Sequence, residues 1–326
     1  MKKEIVISIL TASLALASSG CGMPASATTT VEEETTTTVE TMETTTGASE
    51  ETTTETTEKE IIYSHLEITT FLPDGTSYVS SETDYDEKGR SVYTVNYNLD
   101  GSIKSYIERG YDENDNKIKE VEYFYHPDGQ EGKHELITEY DSEGVVVRDI
   151  ITITTGDSVN EYVQEYDYDD NGLQIEGRSV QSDGTVTCTV EFEYDENGNN
   201  IKQYAYDENG GFLYHDEFEY DENGKQVLQN CFDADGNIYS YIESERDSEG
   251  NLTSFKIVYP GKNMISQWDQ YEYNENNKRT KVINHDKEGN VSLVTEYTYD
   301  QYGYITEKVI HDGEGNLVST SKYVYS

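Results

Sequence analysis

The sequence predicts an all-β fold: a tandem-repeat antiparallel β-hairpin meander of about twenty strands, forming an elongated, twisted or curled sheet. The first observation behind this prediction is a turn motif, Tyr-Asp-Glu-Asn-Gly, that recurs with small variations from residue 61 onward. The second is the alternation of apolar and polar residues between turns, which is typical of strands. The third is a glycine period of 26 residues, seen at Gly172, Gly198, Gly224 and Gly250.

The turn motif has a direct physical reading. Asp favours the start of a type I turn because its side chain accepts a hydrogen bond from the backbone two residues on. Gly closes the turn at positive φ, which produces the bulge of a three-residue hairpin connection. A second glycine series at Gly184, Gly210 and Gly236 lies between members of the first, so the gaps between turns alternate. Val190–Tyr194 reads as one of the intervening strands, with apolar residues on one face and Glu on the other.

The first 20 residues read as a signal peptide. A basic start is followed by an apolar stretch at residues 5–17, which is too short to span a bilayer. Ser19-Gly20-Cys21 then resembles the lipobox of bacterial lipoproteins, although Ser18 departs from the Leu, Val or Ile usual at its position. The resemblance implies lipidation of Cys21. The alternative is an ordinary secretory signal, cut after Ala17 or Ala27.

Residues 21–60 are predicted to be a disordered linker. The segment is rich in Thr and Glu and contains no aromatic residue, so it cannot bury enough apolar area to offset its ordering entropy. Repulsion between its Glu side chains favours an extended chain. We interpret it as a spacer between the membrane and a folded domain at residues 61–326. A linker with no role beyond distance is the favoured reading.

The repeats resemble those of the YD-repeat, or RHS-repeat, family. The family mark is Tyr-Asp-x-x-Gly, then a second Asp-x-x-Gly, then the next Tyr-Asp. Tyr220–Gly224, Asp233–Gly236 and Asp247–Gly250 reproduce that order. The resemblance implies a β-sheet strip, which large members wrap into a hollow shell around a toxin cargo. No cargo domain follows the last repeat here, so we do not expect the shell role.

The charge excludes several functions. The 326 residues carry a net charge of −43, with 66 acidic and 23 basic side chains, which disfavours nucleic acid and anionic membrane surfaces as partners. A mean hydropathy of −0.79 argues against a polytopic membrane protein. We therefore expect contact with the membrane only through the lipid anchor, on the outer face of the bacterial cytoplasmic membrane. Release into the medium is the alternative.

The sequence offers no catalytic residue, metal site or cofactor site that we would assign. Residues 167–172 begin like an EF-hand calcium loop, but Arg178 stands where the bidentate acid would be needed. His126, His285 and His311 occupy a slot that Tyr holds in other repeats, so we read them as structural substitutions. The remaining cysteines, Cys188 and Cys231, could pair, but packing as small apolar side chains is the favoured reading.

The tyrosines suggest the sharpest binding hypothesis. Tyr at equivalent repeat positions is expected to form cross-strand ladders, which would either hold a thin sheet together or present an aromatic strip. Trp268, Tyr271 and Tyr273 lie next to the one place where the glycine rhythm breaks, residues 260–263. We take these three as candidate binding residues.

Three functional hypotheses follow. The leading one is a non-enzymatic surface module for adhesion or for binding a glycan or protein ligand. The second is a structural spacer or envelope component without a ligand. The third, by family analogy alone, is a partner or remnant of a polymorphic-toxin system. The sequence leaves open the oligomeric state and whether the sheet closes on itself.

Lipidation predicts a change of location. In the Cys21→Ala variant the acyl chains have no attachment site, so we expect the protein to move from the membrane fraction to the medium. Fractionation followed by immunoblotting measures this. Membrane retention of the variant would contradict the lipobox interpretation.

Overall fold

The computed structural model describes residues 63–125 and 130–326. Within it, Tyr63–Ser326 forms one compact unit. The predicted signal peptide, Cys21, the Thr/Glu-rich linker and His126 lie outside the described residues.

Twenty strands and one short 3-10 turn make up the secondary structure of the described residues. The 3-10 turn, Pro260–Lys262, lies where the glycine rhythm breaks, and Asn263 ends it in the left-handed conformation. The strands are β1 (His65–Phe71), β2 (Ser77–Tyr85), β3 (Ser91–Tyr97), β4 (Ile103–Tyr111), β5 (Lys117–Tyr125), β6 (Glu131–Tyr140), β7 (Val146–Thr155), β8 (Ser158–Tyr168), β9 (Gln174–Gln181), β10 (Val186–Tyr194), β11 (Asn200–Asp207), β12 (Phe212–Tyr220), β13 (Gln226–Asp233), β14 (Ile238–Arg246), β15 (Leu252–Tyr259), β16 (Met264–Tyr273), β17 (Arg279–His285), β18 (Val291–Tyr299), β19 (Ile305–Asp312) and β20 (Leu317–Tyr325).

The strands form one closed antiparallel sheet. Each strand pairs with the next along the chain, and β1 also pairs with β20, from Leu66 opposite Tyr325 to Phe71 opposite Thr320. The prediction of an all-β hairpin meander is therefore confirmed. Closure answers the question that the sequence left open, and it gives the first and last strands a partner on both sides.

The turns have the predicted geometry. In the turn after β10, the Gly198 amide donates to the Asp195 carbonyl at 3.1 Å, and the Asp195 side chain accepts from the Asn197 amide at 2.9 Å. Gly198 has a φ of 83°, and the strand register shifts by one residue close to the turn, between Glu193 and Tyr194. Asn277 takes the glycine position of its turn at φ 57°, a region that Asn tolerates better than most residues.

The repeat tyrosines mainly donate hydrogen bonds from their hydroxyls to backbone carbonyls, and only some of them stack on one another. The Tyr220 hydroxyl, at the end of β12, donates to the carbonyl of Asn200, the first residue of β11, at 2.6 Å. The same bond recurs at the ends of other even-numbered strands, where the donors are Tyr111, Tyr140, Tyr168, Tyr194, Tyr273 and Tyr299. We call the turns that follow the even-numbered strands the tyrosine rim. Both ends of the described unit lie there, where the Ser64 amide donates to the Ser326 carbonyl at 2.8 Å.

The two faces of the sheet differ in character. Strand register places all the buried polar side chains on one face, which we call the belt face. The opposite face carries stacked aromatic side chains, and we call it the aromatic face. Most strand residues on both faces are half-buried, as a single layer without a covering sheet requires. The belt comprises Thr70, Ser105, Gln164, Gln203, Asp216, Gln229, Ser240, Asp269 and Thr295.

The tyrosine bonds predict a specific loss of stability. Tyr220→Phe keeps the ring but removes the donor to Asn200, so we expect the free energy of unfolding to fall by about 1 kcal/mol. Urea denaturation measures this. Tyr302→Phe is the matched control, because Tyr302 lies in a turn of the same rim and is 58% exposed. Equal losses in the two variants would contradict a stabilising role for the bond.

Candidate functional site

Trp268 stands in a cross-strand row on the aromatic face. His285 stacks on the indole with ring centroids 3.9 Å apart, and the Lys256 ammonium lies 5.2 Å from the indole on the neighbouring strand. Lys256 is directly opposite Trp268 in the register. Both faces of the indole therefore have protein neighbours, which leaves its edge rather than its flat face for a ligand.

Tyr271 and Tyr273 lie elsewhere than Trp268. Tyr271 alternates onto the belt face, where burial, followed by the Asp269 charge, raises the pKa of its hydroxyl to about 12. The Tyr273 hydroxyl donates to the Leu252 carbonyl at 2.8 Å. The two tyrosines line a shallow cavity of about 360 Å³ with Asp247. The structure thus brings Tyr271 and Tyr273 together and places Trp268 on the other face, so the three do not form one surface.

That cavity has a counterpart elsewhere on the tyrosine rim. A second cavity of about 550 Å³ is lined by Asp112, Asn116 and Tyr140. These residues hold the same repeat positions as Asp247, Asn251 and Tyr273 in the first cavity. The clefts are therefore a feature of the repeat, formed between successive turns of the rim, rather than a single specialised pocket.

A buried acid marks the belt face. Asp216 is 2% exposed, and its Oδ2 accepts hydrogen bonds from Gln203 Nε2 at 2.8 Å and from Gln229 Nε2 at 3.0 Å. Burial raises the pKa of this carboxyl. Burial, and then the nearby Asp216, raises the pKa of the Cys231 thiol to about 12. A thiol in that state is protonated at neutral pH and is a poor nucleophile.

The cysteines do not form a disulfide. Cys188 and Cys231 are both buried thiols. They lie in β10 and β13, three strand spacings apart, which at roughly 4.8 Å per spacing exceeds the reach of a disulfide. Packing as small side chains, the favoured reading of the sequence, agrees with these positions.

The carboxylates of residues 167–172 accept hydrogen bonds within the turn and from an arginine. Asp169 Oδ1 accepts from the amides of Asn171 at 2.8 Å and Leu173 at 2.9 Å. Asp167 Oδ2 accepts from Arg178 Nη1 at 2.8 Å. Across residues 63–125 and 130–326, no group of three or more His, Cys, Asp or Glu side chains is placed to hold a metal ion.

Aromatic ladders form in limited stretches of the aromatic face. Tyr106 and Tyr123 stack with centroids 4.6 Å apart, and Tyr93 lies 6.1 Å from Tyr106. His215 and Phe232 stack in parallel at 4.5 Å. The expected ladders thus exist, but the tyrosines that open the turns mainly make the backbone bonds described above.

Exposed apolar side chains gather at the rim opposite the tyrosine rim. We call this the apolar rim, because most of the large exposed apolar residues of the described chain lie on it. Sequence reasoning missed this feature, although the signal is present: an apolar residue follows the turn glycine by two positions, as in Gly236-Asn237-Ile238 and Gly315-Asn316-Leu317. The members are Phe71, Leu99, Ile103, Tyr125, Val159, Phe212, Ile238, Val291, Leu293, Leu317 and Val318.

Within the described part of the chain, no helix has the length and apolar character needed to cross a membrane.

Comparisons with known proteins give structural likeness only. No family model matches the chain, and no curated protein matches its sequence. The chain is similar to a porin-like protein from Bacteroides uniformis, with 14% identity and a TM-score of 0.39 over 64% of this chain and 96% of that chain. It is also similar to the Tc holotoxin pore of Photorhabdus luminescens, with 11% identity and a TM-score of 0.32 over 76% of this chain and 17% of that chain. Likeness at these scores carries no argument about function.

Two aspartates predict opposite dependences on pH. The pKa of Asp216 is raised above 3.8, so its favourable contribution is present below that pH and is lost as pH rises through the folded value. The pKa of Asp233 is lowered below 3.8, chiefly by the Asn237 amide, so its contribution is present above that pH and is lost as pH falls. As pH rises from acid to neutral, Asp216→Asn should therefore gain stability relative to the native protein, and Asp233→Asn should lose it.

Urea denaturation of the three proteins at several pH values measures this prediction. The two substitutions are matched, because each replaces a carboxylate with an amide of the same shape. Parallel pH profiles for the two variants would contradict the assignment of opposite environments.

Proposed function

We propose that this chain is a lipid-anchored protein of the bacterial cell surface whose closed sheet is a non-enzymatic module for adhesion or ligand binding. The signal peptide, the lipobox-like Cys21 and the extended linker of the sequence support the location. The observation that carries the binding role is the apolar rim. Exposed apolar side chains are costly in water, and where they gather they commonly mark an interaction site.

The chemistry of the described side chains fits binding better than catalysis. The Cys231 thiol and the Asp216 carboxyl are buried on the belt face, at 0% and 2% exposure, so a solute has no access to either group. The two rim clefts repeat the same residue pattern and are shallow. A binding surface can be built from such repeated features, whereas a reaction centre needs a distinct convergence of groups.

The structural spacer is the second candidate function. It is favoured by the tyrosine bonds, which give most turn-opening tyrosines a role in the sheet itself. The toxin-system partner of the third hypothesis has only the family resemblance behind it.

Ligand binding by the soluble Cys21→Ala protein tests the proposal. We would measure binding to mucin, to host and bacterial surface glycans and to matrix proteins, with calcium and with chelator. Saturable binding that persists at high salt is expected of a binding module. Binding that is confined to salt-sensitive background would overturn the proposal in favour of the spacer, since screened charge attraction is not recognition.

A further inference from the structure

The apolar rim is densest where the sheet closes. On the aromatic face, Val291, Leu317, Val318 and Phe71 belong to β18, β20 and β1, and β19 is the one strand lying among them. Each is between 37% and 42% exposed. We call these four residues the seam patch. Two of them are directly paired with histidines near the ends of the preceding strands, since His285 pairs with Val291 and His311 pairs with Leu317.

The seam patch is surrounded by acidic turn residues. Asp286, Glu288, Asp312 and Glu314 lie in the two turns that precede β18 and β20. Hydrogen bonds from Asn290 and Asn316 hold the pKa of Asp286 and Asp312 below the usual range, so both are charged across the physiological range.

The lysine side chains near the seam patch contact neighbouring residues of the protein. The Lys287 ammonium lies 3.5 Å from a Glu288 carboxylate oxygen. The Lys322 ammonium lies 5.5 Å from the Phe71 ring. The patch therefore combines apolar contact area with a surplus of negative charge.

We propose that the seam patch is a docking surface for a cationic amphipathic peptide segment of a partner protein. This inference rests on the proposed binding function and names the surface and the chemistry of its ligand. Apolar side chains of such a segment would cover the patch, and its Lys or Arg side chains would meet the turn carboxylates. A second copy of the chain would bring the same carboxylates to the contact, and anionic lipids or glycans would be repelled in the same way.

Three short helical peptides of equal length provide the probes for fluorescence anisotropy with the Cys21→Ala protein. The first is built from Leu and Lys, the second from Leu and Glu, and the third from Ser and Lys. We expect saturable binding of the Leu/Lys peptide, no binding of the Leu/Glu peptide, and only weak, salt-sensitive binding of the Ser/Lys peptide. Equal affinity for the two Lys peptides would overturn the apolar part of the proposal, and failure of the Leu/Lys peptide to bind would overturn it entirely.

Two matched triple variants locate the site. Val291→Ser, Leu317→Ser and Val318→Ser together should weaken Leu/Lys binding about tenfold or more. Circular dichroism and thermal unfolding establish that both triple variants are folded. The control combines the same change at three residues, 37% to 58% exposed, on the tyrosine rim: Ile118, Ile175 and Val324. Equal weakening by the control would overturn the location.

The remaining outcomes separate this inference from the proposed function. The double variant Glu288→Gln, Glu314→Gln should have a lower affinity for the Leu/Lys peptide and a weaker dependence of that affinity on salt. An unchanged affinity would overturn the role given to the turn carboxylates. Concentration-dependent dimers abolished by the seam-patch variant would assign the patch to a second copy instead. If the triple variant of the seam patch still binds the mucin, glycan or matrix ligands that the Cys21→Ala protein binds, the inference fails while the proposed function stands.

Discussion

Backbone pairing between the first and last strands is the interaction on which the rest of this structure depends. A single-layer sheet has no second sheet to bury its side chains, so its stability rests on ladders, turns and contacts between neighbouring strands. An unpaired β1 and β20 would expose two rows of backbone donors and acceptors. Their pairing is reinforced by a hydrogen bond between the Thr70 and Ser321 hydroxyls at 3.0 Å, and by contact between the Tyr63 and Tyr325 rings, whose centroids are 5.1 Å apart.

The alternation of the repeat gives the two rims different chemistry. Most even-numbered strands end with a tyrosine whose hydroxyl donates to a carbonyl at the start of the preceding strand, and these bonds join neighbouring strands along the tyrosine rim. On the apolar rim, the described strands show no comparable series of tyrosine-to-backbone hydrogen bonds. Aliphatic side chains lie just after its turns instead. One half of each repeat thus stabilises the sheet, and the other half leaves apolar surface available.

The local features of the fold were predictable and the long-range ones were not. Asp-x-x-Gly turns and alternating strands depend on neighbours within a few residues, which the sequence displays directly. Closure depends on pairs such as Ile68 with Tyr323, which no local pattern specifies. Each tyrosine hydrogen bond joins residues about one hairpin apart in the chain. The recurrence of Tyr could be seen in the sequence, but the acceptor could not be predicted, because it is a backbone carbonyl that every residue carries. Trp268 and Tyr271 are close in the chain, but strand alternation separates their faces, a step that the choice of candidate residues did not include.

Closure also sets the unit by which such a sheet can change size during evolution. In an antiparallel ring, each strand runs opposite to both neighbours, so only an even number of strands can close. Gain or loss of one strand would make β1 parallel to β20. The turns of the tyrosine rim on one side of the seam would then lie next to turns of the apolar rim on the other side. Growth must therefore proceed by whole hairpins, and the 26-residue glycine period is the length of one such hairpin. The period is thus a unit of duplication that preserves closure, and the circumference of the ring can be altered without redesigning any turn.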